Sequence, residues 1–227
     1  MAARIGCVGW GSLLWDPRSL PMAGAFRDDG PRLPIEFSRV ARDGRVTLVI
    51  DPDAAPIPTY WVPLDVPDVN AAVEALGRRE RIGADRWREW IGLQTREHLG
   101  SGASGVREGV GRWLADSDAD ALVWTALPRR CPDGRFAAPS DEELLSHLRA
   151  LEGESLRRAE EYVRRAPAAV RTPRRARFEQ ELGWTPSSAG PNPATPGVPE
   201  APPDAPTPLD SADASYVGTP PVGAPRK

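Results

Sequence analysis

Cysteine and histidine are scarce in this chain. It has two of each, Cys7, Cys131, His98 and His147, too few and too scattered for a disulfide framework or a metal cluster. Cys7 falls in a strand-like apolar run, where a buried thiol keeps a high pKa and makes a poor nucleophile. Cys131 falls in a proline-flanked loop, and the pair fits a reducing cytoplasm. The two histidines fall on helix faces with no partner at ligand spacing, so neither is given a role. No stretch approaches the roughly 20 apolar residues of a membrane span. Met1-Ala2-Ala3-Arg4 leads into a strand without a signal-peptide apolar region. Basic charge is not in excess either: 29 Lys and Arg stand against 32 Asp and Glu, a net charge of −3. That balance argues against a broad nucleic-acid-binding face. The arginine pairs at 78–79, 129–130, 164–165 and 174–175 read as solvated helix and loop faces. The expectation is a cytoplasmic protein with no metal, no cofactor, no nucleic acid and no membrane partner.

What is present is unevenly distributed. Nearly half of the 26 prolines follow Thr185, in a stretch of Pro, Ala, Ser, Gly and Asp that cannot bury enough apolar surface to offset its ordering entropy. Residues 185–227 therefore read as a disordered tail. Its Pro-x-x-Pro spacings, as at Pro199 to Pro202, suit an SH3-like partner but lack flanking basic residues. The preceding 184 residues can bury a single core.

The first third is strand-rich. Residues 4–8, 35–41, 45–51 and 58–65 are bounded by Gly, Pro or Asp, and Arg42-Asp43-Gly44 signals a hairpin. Residues 14–34 form a long aperiodic link, and long links in compact domains are usually functional. Asp68 can cap a helix through about Arg79, with Val69, Ala72, Val73 and Leu76 on one face. A second helix is expected over 85–99 from Trp87, Trp90, Ile91 and Gln94, and a third through Val106, Val110, Trp113 and Leu114. Residues 121–127 form a strand apolar enough to be central. Ser140-Asp141-Glu142-Glu143 is a capping box opening another helix. Further helices run to Pro167 and from Thr172-Pro173 to Gly183. Strands first and helices later indicate an α+β domain.

The chemistry concentrates near the start. The strand Ile5-Gly6-Cys7-Val8 empties into Gly9-Trp10-Gly11-Ser12-Leu13-Leu14-Trp15, followed by Asp16-Pro17. A strand ending in Gly-x-Gly-Ser leaves backbone N–H groups without ladder partners, and glycines let that backbone approach a ligand. Such a run is either a cradle for a carboxylate or oxyanion or a tight turn with Trp15 as core.

This order of residues resembles the Gly-Tyr-Gly-Ser-Leu-x-Trp-Asn-Pro signature of the γ-glutamylcyclotransferase-like family, especially its ChaC-type branch. Phe37-Ser38-Arg39 with Asp43 to Leu48 resembles that family's next two strands. Ala75-Leu76-Gly77-Arg78-Arg79-Glu80 resembles its Leu-x-x-Arg-Glu segment. The resemblance spans residues 4–127. It implies a small curved or closed β-barrel of about five strands flanked by helices over residues 1–139, with residues 140–184 as a helical extension packed on it. It also implies Glu80 as the catalytic general acid/base, with Trp10, Gly11, Ser12 and Leu13 binding substrate.

The implied reaction is cyclisation of a γ-glutamyl amide to 5-oxoproline, with release of the amine. Two departures stand out. Trp10 replaces a tyrosine, losing a hydroxyl or shifting its hydrogen bond to the indole N–H. Gly83-Ala84-Asp85-Arg86-Trp87 replaces the Gly-Gly-Tyr-Asp of the branch, so glutathione is not implied. By residue type alone, Glu80 is equally a member of a surface ion-pair cluster with Arg78, Arg79 and Arg81. Arg39 and Arg45 either balance a substrate carboxylate or face solvent.

Three readings follow. An enzyme requires Glu80 beside the Trp10–Leu13 loop. A non-catalytic small-molecule-binding protein of the same fold has Glu80 in solvent or paired to a neighbouring arginine. An interaction protein would work through its proline-rich tail.

Overall fold

Alternation of apolar side chains puts the N-terminal strand at the centre of the molecule. The computed structural model describes residues 3–98 and 104–187. Strand β1 (Ile5–Gly9) is buried along its whole length. Its partner β7 (Ala121–Thr125) runs parallel, with Cys7 opposite Val123. The antiparallel neighbours β5 (Tyr60–Pro63) and β6 (Ile91–Thr95) complete a four-stranded sheet of order β5-β1-β7-β6.

Successive side chains point to opposite faces, so this sheet feeds two cores. Ile5, Cys7, Ala121 and Val123 pack with Ala72 and Leu76 of helix α1 (Val69–Arg79). Val8, Leu122 and Trp124 pack on the other side with Phe37, Leu48, Val106 and Val110. Among these, Phe37 belongs to β2 (Leu33–Val40) and Leu48 to β3 (Val46–Ile50), which with β4 (Pro56–Ile57) form a second sheet of order β3-β2-β4.

The α+β class holds, with two sheets and six helices among the described residues. The single closed barrel of about five strands does not. Seven strands divide between the sheets: the expected strand over 58–65 is shortened to β5, and β4 just before it and β6 are additional. The chain leaves β4 on β2 and reaches β5 on β1 through Pro58-Thr59. Pro58 offers no N–H to a ladder, and the Thr59 hydroxyl donates to Pro31 O (2.5 Å), fixing the corner.

The expected helix over 85–99 is also corrected. Only one turn, α2 (Trp87–Trp90), forms before β6 begins. Ile91 to Thr95 pair in register with Thr125 to Ala121, which gives the β7 backbone hydrogen-bonding partners that a helix could not offer. Gly92 admits the Trp124 ring; a Cβ there would sit 2.1 Å from Cε2. His98 consequently follows a strand rather than lying on a helix face.

The aperiodic link after residue 14 covers the β5 edge. Arg27 and Trp61 exchange backbone hydrogen bonds (2.8 and 3.0 Å), and Ala23 N–H donates to Pro63 O (2.8 Å). Covering an edge strand removes a template for aggregation, a structural role for a segment expected to be functional.

Local capping signals are obeyed. The Asp68 carboxylate accepts from Ala71 N–H (2.9 Å) at the start of α1. Helix α3 (Ser104–Asp116) carries Val106, Val110 and Leu114 into the core. Helix α4 (Asp141–Ala150) opens with the reciprocal Ser140–Glu143 capping box. Helix α5 (Gly153–Arg165) follows. Helix α6 (Pro173–Leu182) starts with Pro at its first turn, and Gly183 ends it in the left-handed conformation (φ 73°).

The helices beyond residue 140 share the main core rather than building their own. Leu144, Leu148, Tyr162 and Phe178 belong to the cluster holding Phe37 and Leu48. Phe178 and Phe37 meet edge to face at 5.6 Å. The proline-rich tail lies, from residue 188 on, outside the described residues.

Truncating Phe178 to Ala tests this shared core. The expected cost is about 3–5 kcal/mol, seen as one urea-unfolding transition shifted to lower denaturant. A separate early transition, with the rest of the curve unmoved, would mean that the helices fold as an independent unit.

Candidate functional site

The residues of the strand-to-loop junction have sharply different fates. Trp10 is 4% exposed, and its indole N–H donates to Leu48 O (3.3 Å). That N–H is committed to the fold rather than to a ligand, and Leu13 is buried in the second core cluster. What remains at Trp10 to Leu13 is backbone. The loop closes as a single 3-10 turn, Ser12–Leu14. Leu14 N–H donates to Gly11 O (3.0 Å), while Trp15 and Asp16 N–H donate to Ser12 O (3.2 and 2.8 Å). None of these bonds uses the N–H of Gly11, Ser12 or Leu13, which find no acceptor among the described residues. The loop is thus the tight turn of the two sequence alternatives, and it leaves three adjacent donors unspent, as a cradle would require.

Helix α1 delivers Glu80 to this loop. The helix ends with Arg81 in the left-handed region (φ 57°). Arg81 N–H donates to Arg78 O (3.1 Å) and Ile82 N–H to Gly77 O (2.9 Å), the paired bonds of a Schellman stop. Buried Ile82 pins the chain as it turns back, and Glu80 occupies the cap position. Its side chain is 18% exposed and forms an ion pair with the buried Arg79. Glu80 Oε1 accepts from Arg79 Nη1, and Oε2 accepts nothing from the described residues.

Arg79 corrects the reading of the 78–79 pair as a solvated face. Arg78 is exposed and pairs with Glu74, but Arg79 is only 3% exposed. Its Nε donates to Asp16 O (3.2 Å), Nη2 also reaches Asp16 O, and Nη2 makes a long contact with Ser12 Oγ (3.5 Å). One planar guanidinium thus touches the Glu80 carboxylate, the Ser12 hydroxyl and the end of the loop. Arg175, likewise buried, spends its donors on the carbonyls of Pro167, Val170 and Ala166. The 174–175 pair is therefore structural too.

A sixth participant comes from α5. The Tyr162 hydroxyl lies so close to Gly11 that a Cβ there would sit 2.5 Å from it. It accepts Leu48 N–H (3.3 Å), and its ring meets Trp15 edge to face at 5.5 Å. The Arg45 guanidinium sits over that ring at 5.6 Å while pairing with Asp43 (2.8 Å). Arg39 donates to Pro128 O (2.7 Å). These two arginines therefore have protein partners.

Burial pushes the Tyr162 phenol up to about 12, against the Leu48 N–H and the Arg45 charge that favour the ionised form; the Glu80 charge adds to the rise. Burial, and then Glu80, also push the Cys7 thiol upward, so Cys7 stays protonated and is no nucleophile.

Arg79 and Tyr162 were missed as site residues. Arg79 had a signal: Ala72, Leu76 and Arg79 stand at i, i+4 and i+7, the buried face of α1. Tyr162 was legible as a buried helix position, but nothing in the sequence pairs it with Gly11. An open depression elsewhere, lined by Pro132, Asp133, Glu142, Glu143, Ser146 and His147, contains none of the expected site residues. His147 Nε2 there is 2.7 Å from Gly44 O. Among the described residues no group of His, Cys, Asp and Glu could hold a metal ion, and no helix is long and apolar enough to cross a membrane. Comparison with protein-family models, curated proteins and solved structures finds no match to this chain.

The contrast between two adjacent arginines is measurable. Arg79→Ala removes a buried guanidinium and strands a partly buried carboxylate, and should cost about 3–5 kcal/mol, whereas Arg78→Ala on the exposed face should stay within about 0.5 kcal/mol. Thermal unfolding of both variants checks this, and equal small effects would remove Arg79 from the architecture. Alkaline titration gives a second test. Because the folded Tyr162 phenol lies above its ordinary value of 10, its contribution is intact below pH 10 and is lost as pH rises toward 12. The unfolding free energy should fall over that window, and less steeply in Tyr162→Phe.

Proposed function

We propose that this protein is a γ-glutamylcyclotransferase-like enzyme that converts a γ-glutamyl amide to 5-oxoproline and a free amine. The observation carrying this reading is the Arg79 guanidinium that holds Glu80 against the Ser12 loop. It ties a carboxylate to the loop that carries three amide donors unspent among the described residues. The residues that resemble the family signature are thereby linked: one guanidinium, Arg79, bonds the Glu80 carboxylate and contacts the Ser12 hydroxyl.

The substrate carries its own nucleophile, so the protein's main task is to hold a folded conformer, a contribution of several kcal/mol. The α-ammonium must first lose a proton, and Glu80 Oε2, which has no partner among the described residues, takes it. The freed amine attacks the γ-carbonyl carbon. A C–N bond forms, the carbonyl pair moves to oxygen, and the loop amides of Gly11, Ser12 and Leu13 stabilise that oxyanion. Glu80 then passes its proton to the departing nitrogen as the original amide C–N bond breaks. It next accepts the second proton from the ring nitrogen, and the released amine carries that away. Atoms and charge balance without a redox partner.

The Arg79–Glu80 ion pair also favours the second reading, a non-catalytic binder of small carboxylates or amides on the same loop, since it is the arrangement expected of a retired acid. One experiment separates them. Wild type and Glu80→Gln are incubated with γ-glutamyl amino acids, γ-glutamyl amines and glutathione, and 5-oxoproline is measured. The enzyme reading expects release from at least one member, reduced at least about 100-fold by the substitution, with unchanged Tm. Silence across the panel, with a member still bound, establishes the binder.

A further inference from the structure

We propose that the Tyr162 hydroxyl is the side-chain donor of the loop's oxyanion site, joining the amides of Gly11, Ser12 and Leu13 on the γ-carbonyl oxygen. The inference rests on the reading under Proposed function and adds a residue from α5, beyond the stretch that carries the family resemblance.

The argument begins with an unspent proton. The Tyr162 hydroxyl accepts Leu48 N–H but donates to nothing among the described residues. The neighbouring Leu48 carbonyl already accepts the Trp10 indole N–H. Tyr162 is 6% exposed, so water does not freely satisfy that proton, and an unmet buried donor calls for a partner.

Position supplies the partner's identity. The hydroxyl presses on Gly11, the residue that begins the run of unspent amides. Any side chain at Gly11 would displace it. The ring cannot wander, being held edge to face by Trp15 and Phe37 and covered by Arg45. The charges of Glu80 and Arg79 both act on the phenol. A neutral, fixed donor in a dry setting suits an oxygen whose charge grows during reaction, because its dipole needs no reorganisation.

Tyr162→Phe removes only the oxygen. With the best member of the γ-glutamyl panel, its kcat should fall about 100-fold with KM little changed, the signature of a donor used in the transition state. A kcat within about threefold of wild type, in a chain where Glu80→Gln is inactive, overturns this proposal and leaves the function standing. A wild type that releases no 5-oxoproline from any member overturns both.

Losing the acceptor for Leu48 N–H could unfold the variant, so a second measurement uses the intact hydroxyl. Tyr60→Phe with Tyr216→Phe leaves Tyr162 as the sole tyrosine of the three. Carbon-13 at its ring Cζ should shift when 5-oxoproline is added, because a hydrogen bond to the ligand alters the phenol. Saturating 5-oxoproline, shown bound by calorimetry, with an unmoved resonance overturns the proposal.

Discussion

A guanidinium taken out of water must find oxygens for its N–H groups, because an uncompensated buried charge costs on the order of several kcal/mol. Arg79 meets that demand with the carboxylate of Glu80, the carbonyl of Asp16 and the hydroxyl of Ser12. Those three acceptors belong to two segments far apart in sequence, so burying this one side chain forces the end of α1 onto the loop that leaves β1. The Schellman stop at Arg81 and the buried Ile82 hold the helix end in the one orientation that keeps Glu80 beside the guanidinium. Arg18 adds a tie from the loop side, donating to Arg79 O at 3.0 Å. The geometry of the candidate site is a consequence of charge satisfaction.

The second anchor is the helical region after residue 140, which is both core and site wall. One polar tie to the sheets is Arg174. This side chain donates to Asp141 (2.8 Å), Pro139 O (2.6 Å), Ser38 Oγ (2.6 Å) and Phe37 O (3.2 Å). Ser38 lies at the register shift of β2, where the ladder to β3 is interrupted and a bulge leaves polar groups to be met from outside. Ser38 in turn donates to Asp51 (2.5 Å), which accepts from Arg129 (2.8 Å). Arg174 thus seats α6 where Phe178 fills the space beside Phe37.

Much of the local structure was legible. Asp68, Ser140 and Thr172 mark helix starts because a short polar side chain there satisfies orphan N–H groups, and each does so. The Arg42-Asp43-Gly44 hairpin forms with Gly44 at φ 86°. Two misreadings share a cause. Residues 91–95 carried a helical spacing, and residues 58–65 an unbroken strand pattern. Strand pairing decided both: β7 needed a partner on its free edge, and the chain had to change sheets at Pro58. Pairing partners lie 26 to 57 residues away in these cases, beyond what periodicity can report.

The candidate site divides along the same line. By itself the sequence determined the parts: a glycine-relieved loop after a buried strand and a carboxylate at a helix end. Local steric and capping rules act over a few residues, so those parts can be read in order along the chain. Only the tertiary structure decided that Arg79 rather than Arg78 turns inward, that Trp10 commits its N–H to Leu48, and that Tyr162 supplies a hydroxyl beside Gly11. Each of these depends on which donors and acceptors remain unmet once distant segments are packed together. That balance of buried polar groups exists only in the folded state.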